Sequence, residues 1–134
     1  MILVMIVIMI ISSILSGMNS MVSNIGHIRI HLNDIYMGLL MSGWMYLLLG
    51  LYELNSKYII IGILLIVVMM VIIRKQLFIN DSQYLDSMIP HHSMAIFMSK
   101  KILEKVKDNK IVNDLATNII NNQEKEIDIM VKKY

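Results

Sequence analysis

Three long uncharged stretches fill the first 73 residues and limit what the chain can become more than any other feature. Residues 1–28 contain no Asp, Glu, Lys or Arg, and Met1 to Leu15 is almost wholly aliphatic. Ile35 to Tyr52 adds 18 uncharged residues and Tyr58 to Ile73 another 16. A bilayer core is crossed by roughly 20 apolar residues in a helix, and lipid leaves the backbone no other way to satisfy its hydrogen bonds. Transmembrane helices are therefore expected at about 1–18, 35–53 and 58–73, with Lys57 and Arg74 snorkelling at the ends of the shortest. A cleaved signal peptide is the alternative for the first stretch, because Ser12, Ser13, Ser16 and Gly17 follow the apolar run. It lacks the positive n-region that such a peptide carries.

Composition agrees with a membrane protein: 57% of the 134 residues are hydrophobic and mean hydropathy is +0.66. A net charge of +2 gives no basis for a nucleic-acid partner. Cysteine is absent, which excludes disulfides, thiolate zinc sites and cysteine nucleophiles.

The first polar break, Ser20 to Asp34, holds His27 and His31 at i, i+4. On a helix they would share a face, but no HExxH glutamate accompanies them, and they read as interfacial histidines. In the second span, Tyr36 and Tyr52 stand where interface anchors belong. Met37, Met41 and Met45 repeat every four residues, while Gly38, Ser42, Gly43 and Gly50 offer small surfaces for a packed helix seam.

At Gln76 the composition changes abruptly to mixed charge, marking a water-facing module. Asn80 or Asp81 can cap a helix carrying Tyr84, Leu85, Met88 and Ile89. Pro90 is expected to kink that helix or to open a fresh one. The apolar set Met94, Ala95, Met98, Ile102 and Val106 continues to a polar turn, Lys107-Asp108-Asn109-Lys110. A second helix from about Ile111 has Val112, Leu115, Ala116, Ile119, Ile120, Ile127, Met130 and Val131 as its expected buried stripe. The result is a helical hairpin over 76–134, following a membrane region over 1–75.

Within the hairpin, Met88-Ile89-Pro90-His91-His92-Ser93-Met94-Ala95-Ile96-Phe97-Met98 gathers two imidazoles and three thioethers in eleven residues. On a helix His91, Met94 and Met98 follow i, i+3, i+7, with His92 turned about 100° away. Imidazole and thioether suit soft ions such as Cu(I). Alternatively the methionines fill a core and the histidines are structural.

Residues 81–130 resemble the domain of unknown function 305 family, whose members are ferritin-like helical modules. The resemblance rests on Asp81, Tyr84, Met88-Ile89-Pro90-His91-His92, Ala95 and Met98 in the first helix. In the second it rests on Ile119, Ile120, Gln123, Glu126-Ile127 and Met130. Some bacterial members also carry three preceding membrane spans. The resemblance implies an all-α fold of three transmembrane helices and a hairpin amounting to half of a four-helix bundle. It further implies copper or silver handling, with Cu(I) or Ag(I) held by His91, His92, Met88, Met98 and Met130, and Met94 as an additional thioether. The rival is a membrane interaction module whose histidines stabilise a helix kink.

Di-iron chemistry is not expected, since no Glu-x-x-His occurs, and neither a glycine-rich phosphate loop nor a Gly-x-Ser-x-Gly elbow is present. The chain is read as a non-enzyme. Two amphipathic helices of about 25 residues cannot bury their stripes unaided, so a homodimer is expected beside the lipid bilayer itself. Three spans put the Ser20 to Asp34 loop and the hairpin on one side. Arg29, Arg74 and Lys75 against Lys57 favour the cytoplasmic side, whereas the bacterial relatives place the module outside.

Overall fold

The structure is a computed structural model that describes residues 2–106 and 108–133. It is all-helical, with no strand among the described residues. Its five helices are α1 (Ile2–Ser16), α2 (Leu32–Tyr52), α3 (Ser56–Arg74), α4 (Asp81–Lys105) and α5 (Lys110–Lys132). Three helical segments, Ile2–Met21, Leu32–Tyr52 and Ser56–Arg74, are long and apolar enough to cross a membrane. The chain forms two compact units, one of α1, α2, α3 and the residues up to Asn80, the other of Gly17–Ile30 with α4 and α5.

In the first unit α2 packs against both α1 and α3. Asn55 starts α3 by accepting a hydrogen bond from the Lys57 N–H at 3.1 Å, and the turn before it places Leu54 at φ 53°, where the side chain stands in solvent. The expected small-residue seam is present and runs deeper than the spacing indicated. A methyl group built on Gly62 of α3 would strike the backbone of Leu47 and the Gly43 carbonyl. One on Gly50 would lie 2.6 Å from the Ile59 nitrogen, and one on Gly38 2.7 Å from the Ile10 Cα. Glycine here serves close contact between backbones, which a side chain would hold apart. Met37 and Met41 are exposed on the outside of α2, so the methionine repeat is not part of the seam.

Hydroxyls bind the same unit at its edges. Ser13 Oγ donates to the Asp34 carbonyl at 3.1 Å and Tyr46, fully buried, donates to the Ile2 carbonyl at 2.8 Å. Tyr36 is buried as well and donates to the Leu77 carbonyl at 2.9 Å, so it ties α2 to the segment after α3 instead of anchoring at an open interface; Tyr52 is exposed. His31 occupies the N-cap of α2, with Nε2 3.5 Å from Asp34 Oδ2, and both residues are buried.

In the second unit α4 and α5 form the expected hairpin. Asn109 caps α5, accepting from the Val112 N–H at 3.2 Å; Lys107 of the predicted turn lies outside the described residues. Pro90 does not open a fresh helix, because α4 runs unbroken through it from Asp81. The core is Ile89 and Ile96 of α4 against Ile127 and Met130 of α5, with Leu85, Met88 and Ile120 packed around it. Leu85, Met88 and Ile89 lie on the expected side of α4, but beyond Pro90 the stripe is displaced, with Ile96 inside in place of Met98. Met98 is more than half exposed and Leu115 and Val131 of α5 are exposed too, because each helix carries apolar residues on two sides and the hairpin covers one.

Residues 17–30, which composition assigned to the membrane region, pack on α4 through short 3-10 turns at Met18–Met21 and Ile25–His27.

Candidate functional site

The conspicuous run Pro90-His91-His92-Ser93 lies in mid α4, where consecutive residues point about 100° apart and so reach different neighbours. Pro90 is fully buried. Its missing N–H removes one intrahelical bond. His92 turns to α5, and its Nδ1 lies 3.0 Å from Glu126 Oε2. That is an ion-pair distance, but the two groups are out of line for a hydrogen bond. His91 is exposed, its ring centroid 5.9 Å from that of His92.

Ser93 is the hub that the sequence reading passed over. Fully buried, its Oγ accepts from the Ser23 N–H at 2.8 Å and lies 3.0 Å from Ser23 Oγ and 2.9 Å from His27 Nδ1. These three contacts pin residues 17–30 onto α4. Arg29 adds a long ion pair to Asp86, 3.8 Å, and its backbone is held by Asn19, which bonds the Arg29 N–H and carbonyl with its own amide. The available signal was spacing: Ser93 is four residues after Ile89 and three before Ile96, on the covered side of the helix.

The residues proposed as soft-metal ligands are distributed over this unit. Met88 packs against the core that contains Met130, while Met94 is partly buried. Met98 lines an open apolar groove with Ile102, Leu115 and Ile119. Among the described residues no three His, Asp or Glu side chains converge as a metal-holding group. His27 and His31 do not share a helix face: His27 ends a 3-10 turn in the second unit and His31 caps α2 in the first.

Burial pushes His27 and His92 below the ordinary imidazole value. For His27 the neighbouring Arg29 acts in the same sense and Asp128 opposes it. For His92 Glu126 opposes burial, and His91 reinforces it. Folded values below the unfolded one mean that the unit is fully stabilised above about pH 6.5 and loses stability as pH falls through the depressed values. The thermal midpoint of this unit is expected to drop between pH 7.5 and pH 5, and less so in a His27→Gln/His92→Gln variant. A wild-type midpoint that holds or rises on acidification would contradict this.

Residues 74–134 match the family described as Domain of unknown function (DUF305). The uncharacterized protein L153 of Acanthamoeba polyphaga mimivirus is 47% identical over 135 residues, covering 97% of this chain and 88% of that protein. The chain belongs to the DUF305 family. The matched DUF305 residues hold α4 and α5 with the whole Pro90 to Ser93 run, whereas residues 17–30, which complete the unit, lie outside the match. No solved structure matches the chain.

Proposed function

We propose that the chain is a membrane-anchored, non-catalytic interaction module in which a ferritin-like helical hairpin, half of a four-helix bundle, is carried by three transmembrane helices. The observation that carries this reading is how the Pro90 to Ser93 run is used. Pro90 is buried, His92 faces Glu126 of α5 and Ser93 holds residues 17–30, so the run joins α4 to both of its neighbours. The apolar groove on α4 and α5 meanwhile stays open. Membrane anchoring is supported by three helices of spanning length and apolarity.

A second reading, soft-metal handling, is favoured by one feature. His91 stands exposed beside His92, with Met88 and Met94 on the adjoining turns. Cu(I) or Ag(I) accepts such imidazole and thioether sets at low coordination number.

One titration separates the two. The purified chain in detergent competes for Cu(I) with a chelator, as wild type and as His91→Ala/His92→Ala. The interaction-module reading expects equal, weak retention in both. A loss of about tenfold or more in the double variant, as removal of metal-supporting groups produces, would transfer the conclusion to metal handling.

A further inference from the structure

Every non-glycine residue with left-handed backbone among the described residues stands beside α3: Leu54 at φ 53° before it, Gln76 at φ 47° and Phe78 at φ 61° after it. Such backbone is costly for any residue with a side chain, and glycine ordinarily takes these positions. Yet Leu54 is 90% exposed and Phe78 83% exposed, so burial within the chain compensates neither. The turn that carries Phe78 is nonetheless tied down. The Gln76 N–H bonds the Ile73 carbonyl and the Leu77 N–H the Ile72 carbonyl, both at 3.2 Å, the pairing that closes a helix on a left-handed residue. The Ile79 N–H returns to the Gln76 carbonyl at 3.2 Å, and the Tyr36 hydroxyl holds the Leu77 carbonyl at 2.9 Å.

The two exposed apolar residues bracket a helix of 19 residues, roughly 29 Å long, against a hydrocarbon core of about 30 Å. Between them Ile60, Leu64, Val67 and Val71 follow one another at steps of four, three and four on one face of α3, and all are exposed. The two ends differ in charge. Glu53 and Lys57 cancel at the first, whereas Arg74 and Lys75 stand exposed at the second, and no acidic residue occurs between Glu53 and Asp81. Asp34, which begins α2 near that end, is buried beside His31 and leaves the two cations uncompensated.

We infer that Leu54 and Phe78 are wedges set at the two faces of a bilayer, and that Phe78 with Arg74 and Lys75 forms a binding site for anionic phospholipid headgroups. The inference rests on reading α1 to α3 as the membrane anchor and names the lipid that the anchor selects. A helix C-terminus favours basic residues in any case, but that preference gives no reason for an exposed phenylalanine in a glycine position. A lipid surface accounts for both. The ring enters the acyl region, where its apolar surface leaves water, while guanidinium and ammonium reach the phosphates beside it.

The full chain, with its single tryptophan removed by Trp44→Phe, tests this by fluorescence. Phe78→Trp, Leu54→Trp or Leu64→Trp is added, and each variant is reconstituted in equimolar phosphatidylglycerol and phosphatidylcholine, with one or the other brominated on its acyl chains. The indole of Phe78→Trp is expected to be quenched about twofold or more strongly by brominated phosphatidylglycerol, and equally by both lipids once Arg74→Gln/Lys75→Gln is added. The indole of Leu54→Trp should respond equally to both throughout. Equal quenching of Phe78→Trp in the otherwise unaltered chain overturns the inference, and so does a preference that survives loss of both cations. If Leu64→Trp is quenched and Phe78→Trp by neither lipid, the wedge fails and the membrane reading stands. If neither variant is quenched, both fail.

Discussion

Replacing Gly62 by leucine is expected to separate α2 from α3 while leaving both helical. A methyl group at this position already strikes the Leu47 backbone and the Gly43 carbonyl, neither of which can swing aside as a side chain would. Four added carbons must therefore push the helix axes apart, and the backbone contact that Gly43, Gly50 and Gly62 permit is lost along the seam. Overpacking in a fitted core costs typically about 1–3 kcal/mol, and a backbone obstacle places this case at the upper end or beyond. Helicity itself should persist in detergent, because apolar surroundings leave each segment to satisfy its own backbone hydrogen bonds. Trp44, the single tryptophan, sits on α2 and supplies the readout. Its fluorescence in mixed detergent and dodecyl sulfate should report unfolding at a much lower sulfate fraction in Gly62→Leu than in wild type. Leu64→Ala, on the exposed side of α3, should behave almost as wild type. Equal midpoints for Gly62→Leu and wild type would refute close backbone packing.

Ser93→Ala is expected to free residues 17–30 from α4 without unfolding the hairpin. The substitution removes one oxygen that three groups share, the Ser23 N–H, Ser23 Oγ and His27 Nδ1. Deleting one member of a partly buried hydrogen-bonded set costs about 1–3 kcal/mol. Amide exchange across residues 17–30 should accelerate by roughly tenfold to a hundredfold, since each 1.4 kcal/mol is a factor of ten. Exchange in the α5 core at Ile127 and Met130 should change little, because their contacts are apolar and made to Ile89 and Ile96. If residues 17–30 exchange at the wild-type rate, Ser93 does not hold them.

These residues also show where sequence reasoning reached and where it stopped. The apolar helices were legible because a long uncharged stretch of this kind has helix as its one self-satisfying form in apolar surroundings, and the ends of the third were marked by Lys57 and Arg74. The hairpin was legible from its repeated apolar spacing and the polar turn at Lys107 to Lys110. The side of α4 that faces inward beyond Pro90 was not. α4 has two apolar stripes, one with Ile89 and Ile96 and one with Met98 and Ile102, and periodicity weighs them equally. Only contact with α5 decides between them. Attachment of residues 17–30 was invisible for another reason: it depends on hydroxyls and one imidazole, whose contacts leave no periodic trace. The histidine pair attracted attention as a ligand set, but the two rings diverge, His92 towards Glu126 and His91 to the open side.

Ser23 and Ser93 are separated by 70 residues. At a synthesis rate of roughly 5–20 residues per second, the early segment leaves the ribosome about 4–14 s before the serine that receives it. During that interval α2 and α3 are made, and Ser23 and His27 wait without the oxygen they bond in the folded chain. Residues made later therefore complete a structure that residues 17–30 begin, and premature termination anywhere before α4 strands that segment without the surface it fits.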